Sequence, residues 1–249
     1  MAFISNSKKY IFIHLHKCAG TSIEKALENE IQWNDISLGS TAYGEKLQVI
    51  YSNKFGLDKH SSALDIQEVV GDGIWESYYT FAFVRHPLDR LISLYEYFKT
   101  YYLSGSRGLA MQGLFFLMQR NLLPPALSKM PSLAAPFKWP GVQAAMTSGS
   151  FSEFIHSEFL ESAPAAYPQF YRLADTTRSK LIVDYVGKVE KASEDWEFLK
   201  GKLGINSNLP LSNQSKRKYK DWREYYTIDD IDFAINKYKI DMDSFSYSV

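Results

Sequence analysis

The sequence predicts an α/β fold, a central parallel sheet flanked by helices, on three observations. Two short and almost wholly apolar runs, Tyr10 to Leu15 (YIFIHL) and Tyr78 to Val84 (YYTFAFV), have the composition of strands buried on both faces. Each is followed at once by a polar loop and a helix start. A third run, Leu181 to Glu190 (LIVDYVGKVE), returns to strand character after a stretch of helices and loops. Strands that alternate with helices pair in parallel, and their ligands gather at the carboxyl ends of the strands.

The elements follow in order. After YIFIHL comes the compact loop HKCAGTS, and Thr21-Ser-Ile-Glu24 has the form of a capping box opening a helix to about Asn29. Residues 31 to 59 are turn-rich, with a strand expected at Leu47 to Ser52. His60 stands just ahead of a second capping box, Ser62-Ala-Leu-Asp65. The second apolar strand ends in Arg85-His86-Pro87. Pro87 suits the first turn of a helix, whose one face would carry Leu88, Leu91, Ile92, Tyr95 and Phe98. From about 104 to 167, proline dipeptides break up helical stretches such as Gly113 to Leu122. This region reads as an insertion of helices and loops within a single domain 1–249. Ser193 is placed to cap a helix through Leu203, ended by Gly204, and Thr227-Ile-Asp-Asp230 opens a last helix to about Lys239.

Composition narrows the function classes. With 249 residues, 45% of them hydrophobic, the chain can bury a sizeable core. Lys plus Arg number 28, as do Asp plus Glu, so no net field steers the protein toward a polyanion, and a bulk nucleic-acid partner is not expected. Any anion site is built locally. The single cysteine, Cys18, excludes an internal disulfide and fits a reducing compartment. No segment approaches the ~20 apolar residues of a membrane span, and the N-terminus lacks a signal-peptide pattern. The expectation is a cytoplasmic protein, or a catalytic fragment lacking its anchor. No heptad or apolar stripe specifies an oligomer.

The loop HKCAGTS has the chemistry of a phosphate cradle. A Gly-containing turn between a buried strand and a helix presents backbone N–H groups and the positive end of the helix dipole, to which Lys17 adds a charge and Thr21 and Ser22 add hydroxyls. Lys17 precedes Gly20, whereas the nucleotide-triphosphate loop GxxxxGK[ST] places its lysine after the second glycine. An ordinary tight strand-to-helix turn would have the same outline. The cysteine-phosphatase loop H-C-x5-R is a poorer match, since Cys18 does not follow His directly and Glu24 occupies the arginine position.

Taken together, FIHLHKCAGTSI resembles the 5′-phosphosulfate loop of carbohydrate-type sulfotransferases (family 2-like), F-I-H-x-P-K-[TC]-A-G-T-S, and FVRHPLDRLISLY resembles that family's 3′-phosphate segment. VDYVGKVE, DWEFLKGKLGI, NQSKRKY and YYTIDD are similar to its C-terminal third, leaving 104 to 167 unmatched. The departures are His16, where the family commonly has Pro, and His86, where it often has Asn. The resemblance implies a P-loop-like sulfotransferase fold and transfer of a sulfuryl group from 3′-phosphoadenosine 5′-phosphosulfate (PAPS) to a hydroxyl, most naturally of a sugar. Lys17 would stabilise the charge, and the amides of Cys18, Ala19, Gly20, Thr21 and Ser22 would hold the 5′-phosphate. Arg85 and Ser93 would take the 3′-phosphate, with Ser215, Lys216 and Arg217 nearby. No metal is required in this reading, because the cations and helix dipoles neutralise the charge.

The acceptor hydroxyl must lose a proton, and a neutral His is the natural base. His60 is favoured because a helix N-terminus disfavours the imidazolium and the family carries a His at this place; His14 is the rival. Tyr101, Tyr102, Trp139, Phe151, Tyr167 and Phe170 could supply stacking faces for a sugar ring, or could simply pack. The alternatives are a nucleotide-dependent kinase with a shortened loop, against which stands the lack of an obvious pair of Mg²⁺-binding carboxylates, and a non-catalytic module that binds the product nucleotide PAP.

Overall fold

A computed structural model describes residues 2–120, 122, 138–210, 217–219 and 221–249. They fall into two compact units, one comprising Met1–His86, Pro168–Gln214 and Ile240–Val249 and the other Pro87–Tyr167 and Ser215–Lys239.

The first unit holds the sheet. Its strands are β1 (Phe3–Ser5), β2 (Tyr10–Ile13), β3 (Ile36–Ser37), β4 (Tyr79–Val84) and β5 (Tyr185–Lys188), in the spatial order β3-β1-β2-β4-β5. The expected parallel core is present: Ile11 pairs with Thr80 and Ile13 with Ala82, while Ala82 pairs with Val186 and Val84 with Lys188. The sheet is nevertheless mixed, for β1 runs antiparallel to both β2 and β3. Only Asn6 to Lys9 separate β1 from β2, too short for a parallel crossover, and Lys9 turns the chain with a positive φ of 57°.

Because the parallel strands are buried on both faces, alternate residues build two cores. Tyr10, Phe12, Phe81 and Phe83 meet Ile23 and Leu27 of α1 (Gly20–Glu28) on one face. Ile11, Ile13, Ala82 and Val84 pack on the other with Leu57, Ile66, Phe170 and Leu173. The strand expected at Leu47 to Ser52 is instead the middle of α2 (Ala42–Phe55). The signals lay at its ends, where the Thr41 hydroxyl accepts from the Gly44 amide at 2.8 Å and Gly56 closes the helix with φ 70°. His60 precedes α3 (Ala63–Val70), whose capping box between Ser62 and Asp65 is as expected, and α4 (Asp72–Ser77) leads into β4.

The second unit opens with α5 (Pro87–Tyr102), which buries the predicted face of Leu88, Leu91, Ile92, Tyr95 and Phe98. The helix expected at Gly113 to Leu122 is α6 (Gly105–Gln119), and α7 (Pro140–Thr147), α8 (Phe151–Ile155) and α9 (Glu158–Glu161) follow. The first unit resumes with α10 (Gln169–Leu173), β5 and α11 (Ala192–Leu203). Ser193 does not cap α11: Lys191 holds the cap position without a side-chain bond, a helical turn at Val189–Lys191 having already begun the coil. Gly204 ends α11 with φ 63°. Thr227 caps α12 (Ile228–Lys237) through a complete capping box, and α13 (Lys239–Ser244) closes the chain. Among the described residues no helix is long and apolar enough to cross a membrane.

Candidate active site

The loop between β2 and α1 is shaped by backbone conformation. Lys17 and Ala19 both adopt the left-handed region, with φ of 62° and 58°, which costs energy for residues with a Cβ and persists only where surrounding structure imposes it. Ala19 is the cap residue of α1, and no side chain caps the helix. The predicted capping box from Thr21 to Glu24 is therefore absent. Glu24 is turned elsewhere: it accepts a 2.6 Å bond from His14 Nδ1 and another from the Ser40 hydroxyl. Within the loop the Ser22 N–H donates to the Ala19 carbonyl at 2.9 Å and the Cys18 N–H to the Leu15 carbonyl at 3.4 Å. Helix geometry gives the amides at Gly20 and Thr21 no acceptor within α1. The Ser22 side chain is buried and Thr21 is exposed.

Lys17 and Arg85 come together where β2 and β4 end side by side. Arg85 Nη1 donates to the Lys17 carbonyl at 3.3 Å. Burial, reinforced by the neighbouring guanidinium, lowers the Lys17 pKa to about 8. Two neighbouring cations repel each other, and an anion bound beside both would relieve that repulsion. The Arg85 backbone is held by Gln169, whose side-chain oxygen accepts from the Arg85 N–H and whose amide group donates to the Arg85 carbonyl, each at 2.8 Å.

Three histidines gather on the other side of the loop. The rings of His14 and His60 lie 4.5 Å apart, and His16 stacks on His60 at 3.5 Å with an interplanar angle of 23°. His60 Nδ1 lies 3.2 Å from the His14 carbonyl; a carbonyl can only accept, so Nδ1 carries the proton and Nε2 the lone pair. Burial, followed by the neighbouring His16 and His14, pushes the His60 pKa well below its usual value, so the ring is neutral at pH 7. The cause differs from the helix-end effect expected from the sequence, but the direction agrees. Burial likewise lowers His14 to about 4, against the pull of Glu24. His14 Nε2 faces Gly20, where a Cβ would lie only 1.8 Å from it, so that nitrogen is walled off by α1. His16, set aside in the sequence as a departure from the family pattern, stacks directly on His60. Its spacing from His14, alternate positions leaving one strand end, was the available signal.

The remaining expected residues are distributed as follows. Ser93 is buried on α5 in the second unit, which also holds Arg217, paired with Asp89 at 2.5 Å. Ser215 and Lys216 lie outside the described residues. Arg90 is buried and donates to the carbonyls of Ala165 and Tyr167 rather than pairing with an acid. His86 is buried, its Nε2 3.0 Å from the Ser248 carbonyl. Of the aromatic residues expected to offer stacking faces, Tyr102, Phe151 and Phe170 are buried, whereas Tyr101, Trp139 and Tyr167 are exposed. Gln169 was not anticipated; a glutamine after Pro168 gives no sequence signal for a buried role. Among the described residues, no group of three His, Cys, Asp or Glu side chains is arranged to hold a metal.

The arrangement can bind a phosphate-type anion between a helix start and two cations, with a neutral imidazole close by. Comparison with known proteins gives a match to the family model described as "Sulfotransferase family", over residues 1–248. No curated protein and no solved structure matches the chain. A match over nearly the whole length, joined to a mixed α/β sheet with a parallel core, establishes that the chain belongs to the sulfotransferase family, enzymes that use PAPS as sulfuryl donor.

Proposed function

We propose that the protein transfers the sulfuryl group of PAPS to a carbohydrate hydroxyl by in-line attack, with His60 as general base and Lys17 stabilising the leaving phosphate. The observation that carries this reading is the joining of Lys17 and Arg85 at adjacent strand ends, with His60 anchored to the same loop through the His14 carbonyl. The acceptor oxygen attacks sulfur as the bond from sulfur to the 5′-phosphate oxygen breaks. The hydroxyl proton passes to His60 Nε2, and PAP leaves with the negative charge that Lys17 and the α1 amides stabilise. Arg85 takes the 3′-phosphate through its guanidinium fork. Charge neutralisation by these groups leaves no step that needs a metal.

A sugar acceptor is supported by the second unit taken alone. Tyr101 and Trp139 are each about half exposed, and Tyr97 stacks on Tyr101 at 5.5 Å. A hollow of about 500 Å³ in the same unit mixes the apolar Leu103, Ala145 and Met146 with Thr100, Ser104, Gln112 and Ser148, polar groups able to meet the hydroxyls of a sugar. The deciding experiment is calorimetric titration with PAP, with ADP as control, on the wild type and on Arg85→Ala and Lys17→Ala. Micromolar PAP binding, weak ADP binding and loss of PAP affinity in Arg85→Ala are expected. Binding of ADP or Mg·ATP in place of PAP would overturn the reading in favour of a kinase.

A further inference from the structure

The short helix α10 touches three separate segments of the site. Gln169, fully buried at its first turn, spends its whole side chain on them. Its Oε1 accepts from the Arg85 N–H at 2.8 Å and from the Cys18 thiol at 3.0 Å. Its Nε2 donates to the Arg85 carbonyl at 2.8 Å and to Asp241 at 3.2 Å. The amide cannot be flipped, because Nε2 would then face the Arg85 N–H and Oε1 the Arg85 carbonyl. Asp241, also fully buried, fixes the helix itself by accepting from the backbone amides of Gln169 and Phe170, both at 2.8 Å. One turn further on, Arg172 donates to the backbone carbonyl of His60.

A buried side-chain amide with every polar atom engaged is a rigid spacer. It ties the strand end that carries Arg85 to the loop that carries Lys17, two cations whose mutual repulsion would otherwise push them apart. Arg172 provides the same service for the loop that carries His60. We propose that α10 is the positioning element of this active site, Gln169 holding Arg85 and the Lys17–Cys18 loop at the spacing of the donor nucleotide and Arg172 holding His60 for proton transfer. Neither side chain is assigned a contact with substrate. The inference rests on the functional reading above, since it takes the Lys17–Arg85 pair as the nucleotide site and His60 as the base.

The two halves of the helix should separate in kinetics. Gln169→Met, similar in volume but without the hydrogen bonds, is expected to weaken PAP binding roughly tenfold and to erode the preference for PAP over ADP. Arg172→Met is expected to leave PAP affinity within about twofold of wild type while turnover at saturating PAPS falls roughly tenfold. Asp241→Asn, which loosens the anchor of Gln169 without removing it, should shift PAP affinity in the same direction by less, and it decides the matter if Gln169→Met does not fold. Unchanged PAP affinity in the Gln169 or Asp241 variant would overturn the proposal. A parallel loss of affinity and turnover in both Gln169→Met and Arg172→Met, tracking a common fall in melting temperature, would also overturn it by showing a merely structural helix. If wild-type protein fails to bind PAP, the functional reading itself fails, an outcome read on the wild type alone, and the inference falls with it.

Discussion

The turn from β2 to α1 and the turn from β4 to α5 both leave parallel strands at their carboxyl ends, yet they are built differently. The first passes through two left-handed residues, Lys17 and Ala19, and enters a helix that no side chain caps. In the second, the Arg85 N–H is taken by Gln169, the His86 N–H by Glu190 at 2.7 Å, and Pro87 has none. The open first turn offers an anion its backbone, whereas the end of β4 adds a side chain, the Arg85 guanidinium.

Substitutions can break this contrast, beginning with the largest effect. Lys17→Ala removes the one full charge of the open turn and should lower turnover by about 10²–10³-fold, or 3–4 kcal/mol of barrier, in a PAPS-dependent assay. Gly20→Ala would set a Cβ 1.8 Å from His14 Nε2; a loss of about 1–3 kcal/mol of stability in denaturant unfolding is expected, despite alanine's better helix propensity. The pH dependence sharpens the same point. Lys17 has its pKa lowered from the usual lysine value to about 8, and a bound phosphate favours its charged form. PAP binding therefore takes up a proton above pH 8, and affinity measured by calorimetry should fall as pH rises from 8, by up to about tenfold per unit, and stay level with respect to this group just below it. Smallest is a pair of helix starts: Thr227→Ala should cost about 1 kcal/mol, because the threonine caps α12, whereas Ser193→Ala should change stability by less than about 0.5 kcal/mol, because it caps nothing.

The sequence made the parallel core legible because strands buried on both faces are written as unbroken apolar runs, as in YIFIHL and YYTFAFV. It concealed β1, a three-residue strand distinguished from loop by its antiparallel pairing with β2 and β3. The helix at Ala42–Phe55 was hidden by Val49 and Ile50, whose β-branched side chains suggested a strand although Thr41 and Gly56 marked the helix ends. Lys17 and Arg85 stood out as charges beside strand ends and through the family resemblance, and the structure brings these two residues together. Glu24 could not: the same residue types that write a capping box also write an acceptor for His14, and only three-dimensional proximity decides between them. Gln169 was invisible for a related reason, since its importance lies in partners distant along the chain, Cys18, Arg85 and Asp241.

The sheet ends in β3, two residues long, on one side and in β5, four residues long, on the other. At the start of β5, Asp184 accepts from both the amide and the hydroxyl of Thr80 and returns its own N–H to that hydroxyl, so pairing with β4 begins from a closed ring of bonds. Short borders, one of them bearing Lys188, give a stray chain little ladder to extend. A protein whose positive and negative side chains balance gains little colloidal protection from self-repulsion. Protection against edge-to-edge pairing then rests on these abbreviated margins, and lengthening either one is expected to promote aggregation.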